Sequence, residues 1–456
     1  MNEWPVRLKF LLNSIEQGWS PECDNVAAQD GEWGVLKTGC VNHAVFNPRE
    51  NKRLPASIDP VPEYEVRPGD VLMSRANTTE LLGSAAYIRE TPQRLLLCDK
   101  LYRLTAKPGV VEPRFLAWFL ASATARSQLE PEATGASGSM QNIAQDIVRD
   151  LWMPLLPYSQ QVVVADFLDC ETARLDRLVA AKERVLGLLG EKRRALITRA
   201  VTRGLDPYTP IRDSGIPWLG AIPAHWGLIP LRFLVDIVGG ATPDTGKIEF
   251  WDGDIPWVSP KDMKRDEIKD AEDHVSALAL SSSALRLIAP GVVLIVVRGM
   301  ILAHSFPTAV TTQPVTINQD MKALRCRELL EPRYLRDFLR GLETQLVSIA
   351  EESAHGTRKL ESEVLGRFQV CVPPIDEQRA IVDHIATETA KLDALRAATE
   401  RTIALLKERR AALIAAAVTG RMTIHESTGD NLPGGREVPG QLNKSLSYQK
   451  ETAWPS

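Results

Sequence analysis

The feature that most constrains this 456-residue chain is that part of it is written twice. Residues Pro157–Arg203 and Pro374–Gly420 align without a gap at an offset of 217 residues, and 23 of 47 positions are identical. Shared strings include Glu171-Thr172-Ala173 with Glu388-Thr389-Ala390, and Ala200-Val201-Thr202 with Ala417-Val418-Thr419. The stretches before the copies correspond more loosely. Trp4 and Leu8-Lys9-Phe10-Leu11 are echoed by Trp226 and Leu231-Arg232-Phe233-Leu234. Pro68-Gly69-Asp70-Val71-Leu72 recurs as Pro290-Gly291-Val292-Val293-Leu294, and Glu112-Pro113-Arg114-Phe115-Leu116 as Glu331-Pro332-Arg333-Tyr334-Leu335. The plan is domain, helix, domain, helix, with divergent stretches between the matched strings.

Each repeated segment reads as an amphipathic helix. Ile381, Ile385, Leu392, Leu395, Ile403, Leu406 and Leu413 recur near a 3.5-residue period, as do Leu168, Leu175, Leu178, Leu188 and Leu196, with charges between them. Pro157 and Pro374 stand at the start, where a missing N–H is tolerated, and Gly204 and Gly420 close the pattern. About 45 residues at a rise of 1.5 Å make a rod of roughly 65 Å. Neither rod can bury its stripe alone, so an antiparallel coiled-coil-like pair is expected.

These periods set the boundaries: a first domain at 1–156, a helix at 157–204, a linker at 205–226, a second domain at 227–373 and a second helix at 374–421. The linker carries four prolines and two glycines, with Gly204 just before it. The polar tail, 422–456, has no periodicity and is read as disordered. Within the domains, Gly69–Met73, Gly291–Val297 and Phe368–Val372 read as strands, and Arg114–Arg126 and Arg333–Ala350 as helices. The fold class is α+β: two pseudo-repeated mixed domains separated by two long helices.

Composition excludes several classes. Hydrophobic residues at 44% and charged residues at 25% suit a globular protein, and no apolar run approaches the ~20 residues of a membrane span. No secretory leader is read at the start, and a cytoplasmic protein is expected. Six scattered cysteines without a Cys-x-x-Cys pair argue against a zinc ribbon or disulfide framework. The net charge of −4 means that any DNA contact is made by local patches or with help from partners.

Catalytic motifs are missing. Ala241-Thr-Pro-Asp-Thr-Gly246-Lys247-Ile248 fails as a phosphate loop at its first and last positions. There is no His-Glu-x-x-His, no Gly-x-Ser-x-Gly and no [Asn/Asp]-Pro-Pro-[Tyr/Phe]. No catalytic or metal-binding residue is therefore assigned. One decoy remains: Asp244 with Glu267 and Lys269 fits the loose pattern of Mg²⁺-dependent nucleases, although the first half does not reproduce it. A coiled-coil adaptor without DNA contact is the other alternative.

Polar loops supply candidate DNA contacts, because Arg reads guanine, Asn or Gln reads adenine, and Lys holds phosphate. They are Lys37, Lys52, Arg53, Arg75, Asn77, Gln141 and Asn142 in the first domain. The second offers Lys261, Lys264, Arg298, His304, Asn318, Gln319, Arg358 and Lys359. Arg193 and Arg410, in basic clusters near the helix ends, are candidates for a partner protein.

The central string Ala200-Val-Thr-Arg-Gly-Leu-Asp-Pro207 followed by Asp213-Ser-Gly-Ile-Pro-Trp-Leu-Gly-Ala-Ile-Pro-Ala-His-Trp226 resembles the central conserved region of type I restriction-modification specificity subunits. Pro373-Pro374-Ile-Asp-Glu377-Gln378, with the helix ending in Ala417-Val-Thr-Gly420, resembles their distal conserved region. The resemblance covers essentially residues 1–421. It implies two target-recognition domains, each reading one half of a bipartite, asymmetric double-stranded DNA site, with two conserved helices as spacer. It implies no catalysis and no cofactor in this chain. Two modification subunits would bind S-adenosylmethionine and methylate adenine, while restriction subunits would use ATP and Mg²⁺ to translocate on and cut DNA. Gln161, Glu377 and Gln378 are the matching candidates for partner contact. The first copy departs from the pattern with Gln160 in place of Glu.

Overall fold

The computed structural model describes residues 5–135, 140–352, 356–422 and 424; Trp4 and nearly all of the tail lie outside them. The chain forms two compact units, one up to Lys182 and from Arg401 on, the other Glu183–Glu400. Each contains one mixed domain and one half of each long helix. The helices run Tyr158–Arg203 and Ile375–Val418.

The domain of the first unit opens with Pro5–Arg7 paired to Trp152–Pro154, so the start of the domain is tied to its end. A four-stranded antiparallel sheet follows, in the order Leu12–Gln17, Leu101–Ala106, Val71–Ser74, Ala85–Tyr87. Val71–Ser74 is buried along its whole length, as expected for a strand covered on both faces. A smaller sheet places Gly34–Leu36 between Asn51–Arg53 (antiparallel) and Leu95–Leu96 (parallel).

The second unit repeats this plan with one strand added to the main sheet. Gly227–Pro230 pairs with Gln369–Val372. Its main sheet runs Val235–Gly239, Met321–Cys326, Val293–Val296, Thr308–Thr311, with Glu267–Ile268 added in parallel. The small sheet again has an antiparallel neighbour and a parallel one, Asp273–Val275 and Thr316–Ile317 on either side of Ile255–Val258. The duplication seen in the helices therefore extends through both domains, including stretches with no readable identity.

Two expectations about length change. The helix expected at 114–126 is two, Pro113–Leu120 and Ala123–Leu129, because the Ser122 side chain caps the second by accepting from Ala125 N. The helix expected at 333–350 likewise breaks at Leu342, giving Pro332–Gly341 and Glu343–Ser348.

The Pro/Gly-rich stretch after the first long helix is also more than a connector. Ile211–Asp213 and Ala221–Pro223 form a hairpin, and Leu219, Ile222 and Trp226 are buried in the core of the second unit with Tyr334, Phe338 and Phe368. Glycine is required at its start: Gly204 has φ +72°, and a Cβ there would stand 3.2 Å from the Trp226 ring and 3.3 Å from a Glu377 oxygen.

Within each unit the two half-helices run antiparallel. In the first, Leu168 shares a core with Ile414, Ala417 and Val418. In the second, Ile197, Ala200 and Val201 share one with Ile381, Val382 and Ile385. The expected stripe is only partly covered. Leu168, Leu175, Ile381, Ile385 and Ile403 are buried, whereas Leu178, Leu188 and Leu395 are exposed. No residue of the first long helix from Asp176 to Leu196 is buried. No described helix is long and apolar enough to cross a membrane. All six cysteines are free, and burial pushes the Cys98 and Cys371 thiols up to about 11 and about 12.

Candidate nucleic-acid interface

The partner candidates are spent inside the chain. Gln161 and Gln378 are fully buried. Gln161 Oε1 accepts from Glu112 N at 2.9 Å, while its Nε2 donates to Val110 O at 3.0 Å and Leu156 O at 2.8 Å. Gln378 repeats all three bonds: from Glu331 N at 2.9 Å, and to Leu329 O and Pro373 O, both at 2.9 Å. Every polar atom of each amide is used. Glu112 and Glu331 in turn cap the helix that follows, accepting from Phe115 N at 2.7 Å and Tyr334 N at 2.6 Å, with proline in its first turn. The repeated Glu-Pro-Arg string and the repeated Gln thus form one clasp, which fixes each domain on its long helix. A partner cannot reach Gln161 or Gln378.

Glu377 accepts from Trp226 Nε1 at 3.1 Å and pairs with His225 Nε2 at 2.8 Å. In the first copy Gln160 and the sequence Glu3-Trp4 occupy the matching places, and Glu3 and Trp4 lie outside the described residues. Arg410 forms an ion pair with Asp176 at 2.9 Å, donates to His43 O at 3.0 Å and lies over the Trp118 ring. Arg193 pairs with Asp393. These two ion pairs are copies of each other at the 217-residue offset. Each ties the two half-helices of one unit together, so neither arginine is a free surface cation.

The DNA candidates divide. Several are already neutralised by carboxylates of their own domain: Arg53 by Asp24 at 2.8 Å and Glu32 at 3.5 Å, Lys37 by Glu50 at 4.0 Å, and Lys261 by Glu272 at 3.0 Å and Asp273 at 2.9 Å. Asn318 is 6% exposed and holds a turn by accepting from Asp320 N, and Gln319 accepts from the Thr242 hydroxyl. Lys52, Lys264 and His304 are not buried. The rest are brought together. Asn77, Gln141 and Asn142 lie on a two-stranded ribbon that Arg75 enters, with Gln141 opposite Asn77. Arg298, Arg358 and Lys359 lie on the corresponding ribbon of the second unit, where Lys359 is itself paired with Glu361 at 2.5 Å and Glu351–Glu352 adds a third strand.

The nuclease set does not assemble. Glu267 is held by Arg333 at 2.9 Å, and Asp244 accepts from Gly246 N in its own turn. Among the described residues no group of three or more His, Cys, Asp or Glu side chains is placed to hold a metal.

The sequence reading missed a buried charge network in the second unit. Its signal was faint: arginines and an aspartate on the inner face of an otherwise apolar helix. Asp337 is 1% exposed and paired with Arg336 at 2.7 Å, and burial holds its carboxyl above the ordinary value. Arg340 meets Asp266 at 2.9 Å. Burial pushes the Asp266 carboxyl up, but the hydrogen bond and charge of Arg340 outweigh it, leaving the group below its ordinary value. A depressed carboxylate stabilises the fold above its unfolded pKa, and that contribution is lost as pH falls through the folded one. Asp266→Asn should therefore lower stability at pH 7 and flatten the decline below about pH 4, where the ordinary carboxylate titrates. Urea midpoints at the two pH values check this.

Comparison with known proteins agrees with this geometry. The family described as "Type I restriction modification DNA specificity domain" matches residues 223–403. That stretch is similar to the DNA specificity domain of type I restriction-modification systems. The chain is 37% identical over 146 residues to the EcoR124I/EcoR124II specificity subunit of Escherichia coli, covering 32% of this chain and 36% of that one. It is 29% identical over 191 residues to the EcoEI specificity subunit of the same organism, covering 41% and 32%. Each match thus spans about a third of the relative's length. Over the fold the likeness is broader. A chain solved in work on complex assembly and conformational transition of the type I R-M system superposes with a TM-score of 0.70 at 19% identity, covering 92% of this chain and 98% of that one. The HsdS subunit from Thermoanaerobacter tengcongensis gives 0.52 at 19% identity, covering 92% and 97%. The resemblance to type I specificity subunits read from the conserved strings stands, and the matched stretch includes the clasp residues Glu331 and Gln378 together with Glu377.

Proposed function

We propose that this protein is the DNA-reading subunit of a type I restriction-modification complex. Its two domains each recognise one half of a bipartite, asymmetric double-stranded DNA sequence, and the chain scaffolds two modification subunits together with restriction subunits. It performs no catalysis of its own. S-adenosylmethionine, ATP and Mg²⁺ act on the partner subunits. The observation that carries this reading is the structural duplication. The strand pairings of the first domain recur in the second, which adds Glu267–Ile268 and Glu351–Glu352, and both have the same glutamine clasp, yet they differ in the residues their ribbons present. One reader used twice would need no divergence; two readers of unlike half-sites require it.

The test is to replace residues 1–150 with those of a relative and read the methylated sequence in cells that also express the modification subunits. One half of the motif should change while the other stays. A change in both halves, or in neither, contradicts modular reading.

A further inference from the structure

In a duplicated framework, a place that keeps its backbone and exchanges its side-chain chemistry is where the copies do different work. The two ribbons are such a place. In the first unit Gln141 pairs with Asn77 and Asn142 with Ala76, antiparallel, and the next residue, Ile143, donates to Arg75 O at 2.8 Å. In the second unit Arg298 pairs with Lys359 and Gly299 with Arg358, antiparallel, and Leu360 donates to Val297 O at 2.8 Å. Ile143 and Leu360 are both buried anchors, and the strands feeding the ribbons, Val71–Ser74 and Val293–Val296, are the fully buried centres of their sheets. The mounting is the same. The presented groups are amides in one copy, two guanidinium groups and an ammonium in the other.

The protein engages part of the second set: Lys359 pairs with Glu361 at 2.5 Å and has Glu351 opposite it on its other side, while Arg358 donates to Val347 O at 3.4 Å and has Glu352 opposite it. Arg298, opposite Lys359, is exposed and has no ion pair among the described residues. At the first ribbon, Arg75 Nε and Asn77 Nδ2 have no acceptor among the described residues, and the Arg75, Asn77 and Gln141 side chains are part-exposed. Unpaired donors of this kind are costly, and one account of their persistence is that a ligand supplies the acceptor. A two-stranded ribbon is of a size that the major groove admits. There, Asn or Gln pairs with the adenine edge and Arg with the guanine edge.

We infer that this ribbon is the specificity-determining element of each domain: Asn77 and Gln141 read an A·T pair in one half of the target, and Arg298 and Arg358 read a G·C pair in the other. The inference rests on the proposed DNA-reading role and adds which residues carry it.

The experiment expresses the full chain with its modification subunits and reads the methylated motif genome-wide for wild type, Asn77→Ala and Arg298→Gln. Each variant should relax one base position in one half of the motif, a different half for each. Discrimination at that position should fall about tenfold or more. A motif unchanged at every position, or methylation weakened uniformly at all sites as loss of a phosphate contact would give, overturns the ribbon assignment while leaving the DNA-reading role intact. A wild-type chain that directs no two-part motif defeats that role itself, and the assignment with it. Where a variant abolishes methylation, the purified complex selecting from randomised duplexes decides: one relaxed position supports the assignment, and an unchanged preference overturns it.

Discussion

Replacing Gln378 with leucine should lower the stability of the second unit by about 3 kcal/mol, a large effect for one amide. Leucine fills nearly the same space, so little packing is lost. What is lost is the partner of three backbone groups in a dry site: Glu331 N, Leu329 O and Pro373 O. Each unpaired buried group costs about 1–3 kcal/mol, less where water can enter. Gln161→Leu should act alike in the first unit, because it strands Glu112 N, Val110 O and Leu156 O. Urea unfolding read by circular dichroism checks both, through the midpoint at unchanged slope. A loss under about 0.5 kcal/mol would mean that these groups find water, and the clasp would then not be what seats the domain.

Trp226→Ala should cost about 3–5 kcal/mol. The side chain is 2% exposed in the largest core of the second unit, and its indole N–H donates to Glu377. Alanine there leaves a cavity in that core, and a half-buried carboxylate that keeps its pairing with His225. Trp226→Phe should recover much of the packing but not the hydrogen bond, and so fall between. If alanine costs less than about 1 kcal/mol, the hairpin before Trp226 is a tether lying on the surface rather than part of the core.

The helices and the duplication were legible from sequence because they rest on local periodicity and direct identity, which survive without tertiary context. The strand positions near Gly69 and Gly291 were legible for the same reason, being short apolar runs bounded by turn residues. What was not legible depended on partners far along the chain. Gln161 and Gln378 are polar residues at the start of amphipathic helices, where exposure is the usual reading; only the return of residues 110–112 and 329–331 to the helix start makes them buried. Trp226 sits in a Pro/Gly-rich stretch whose composition says connector, yet a short hairpin brings it into the core. Leu178, Leu188 and Leu395 fit the apolar period but are exposed, because spacing says which residues share a face and not whether anything covers it. The DNA candidates were chosen by residue type. Geometry then separated candidates paired with carboxylates away from the ribbons, such as Arg53 and Lys261, from those gathered on the two ribbons, where Lys359 is paired as well.

The central claim is that two unlike readers in one chain select one two-part sequence. Sequencing methylated bases in the source cell, with and without this gene, tests it most directly. The account predicts adenine methylation at an asymmetric motif of two specified halves separated by unspecified bases, and its complete disappearance when the gene is removed. A continuous or palindromic motif that depends on this gene, or a two-part motif that persists without it, would contradict the account.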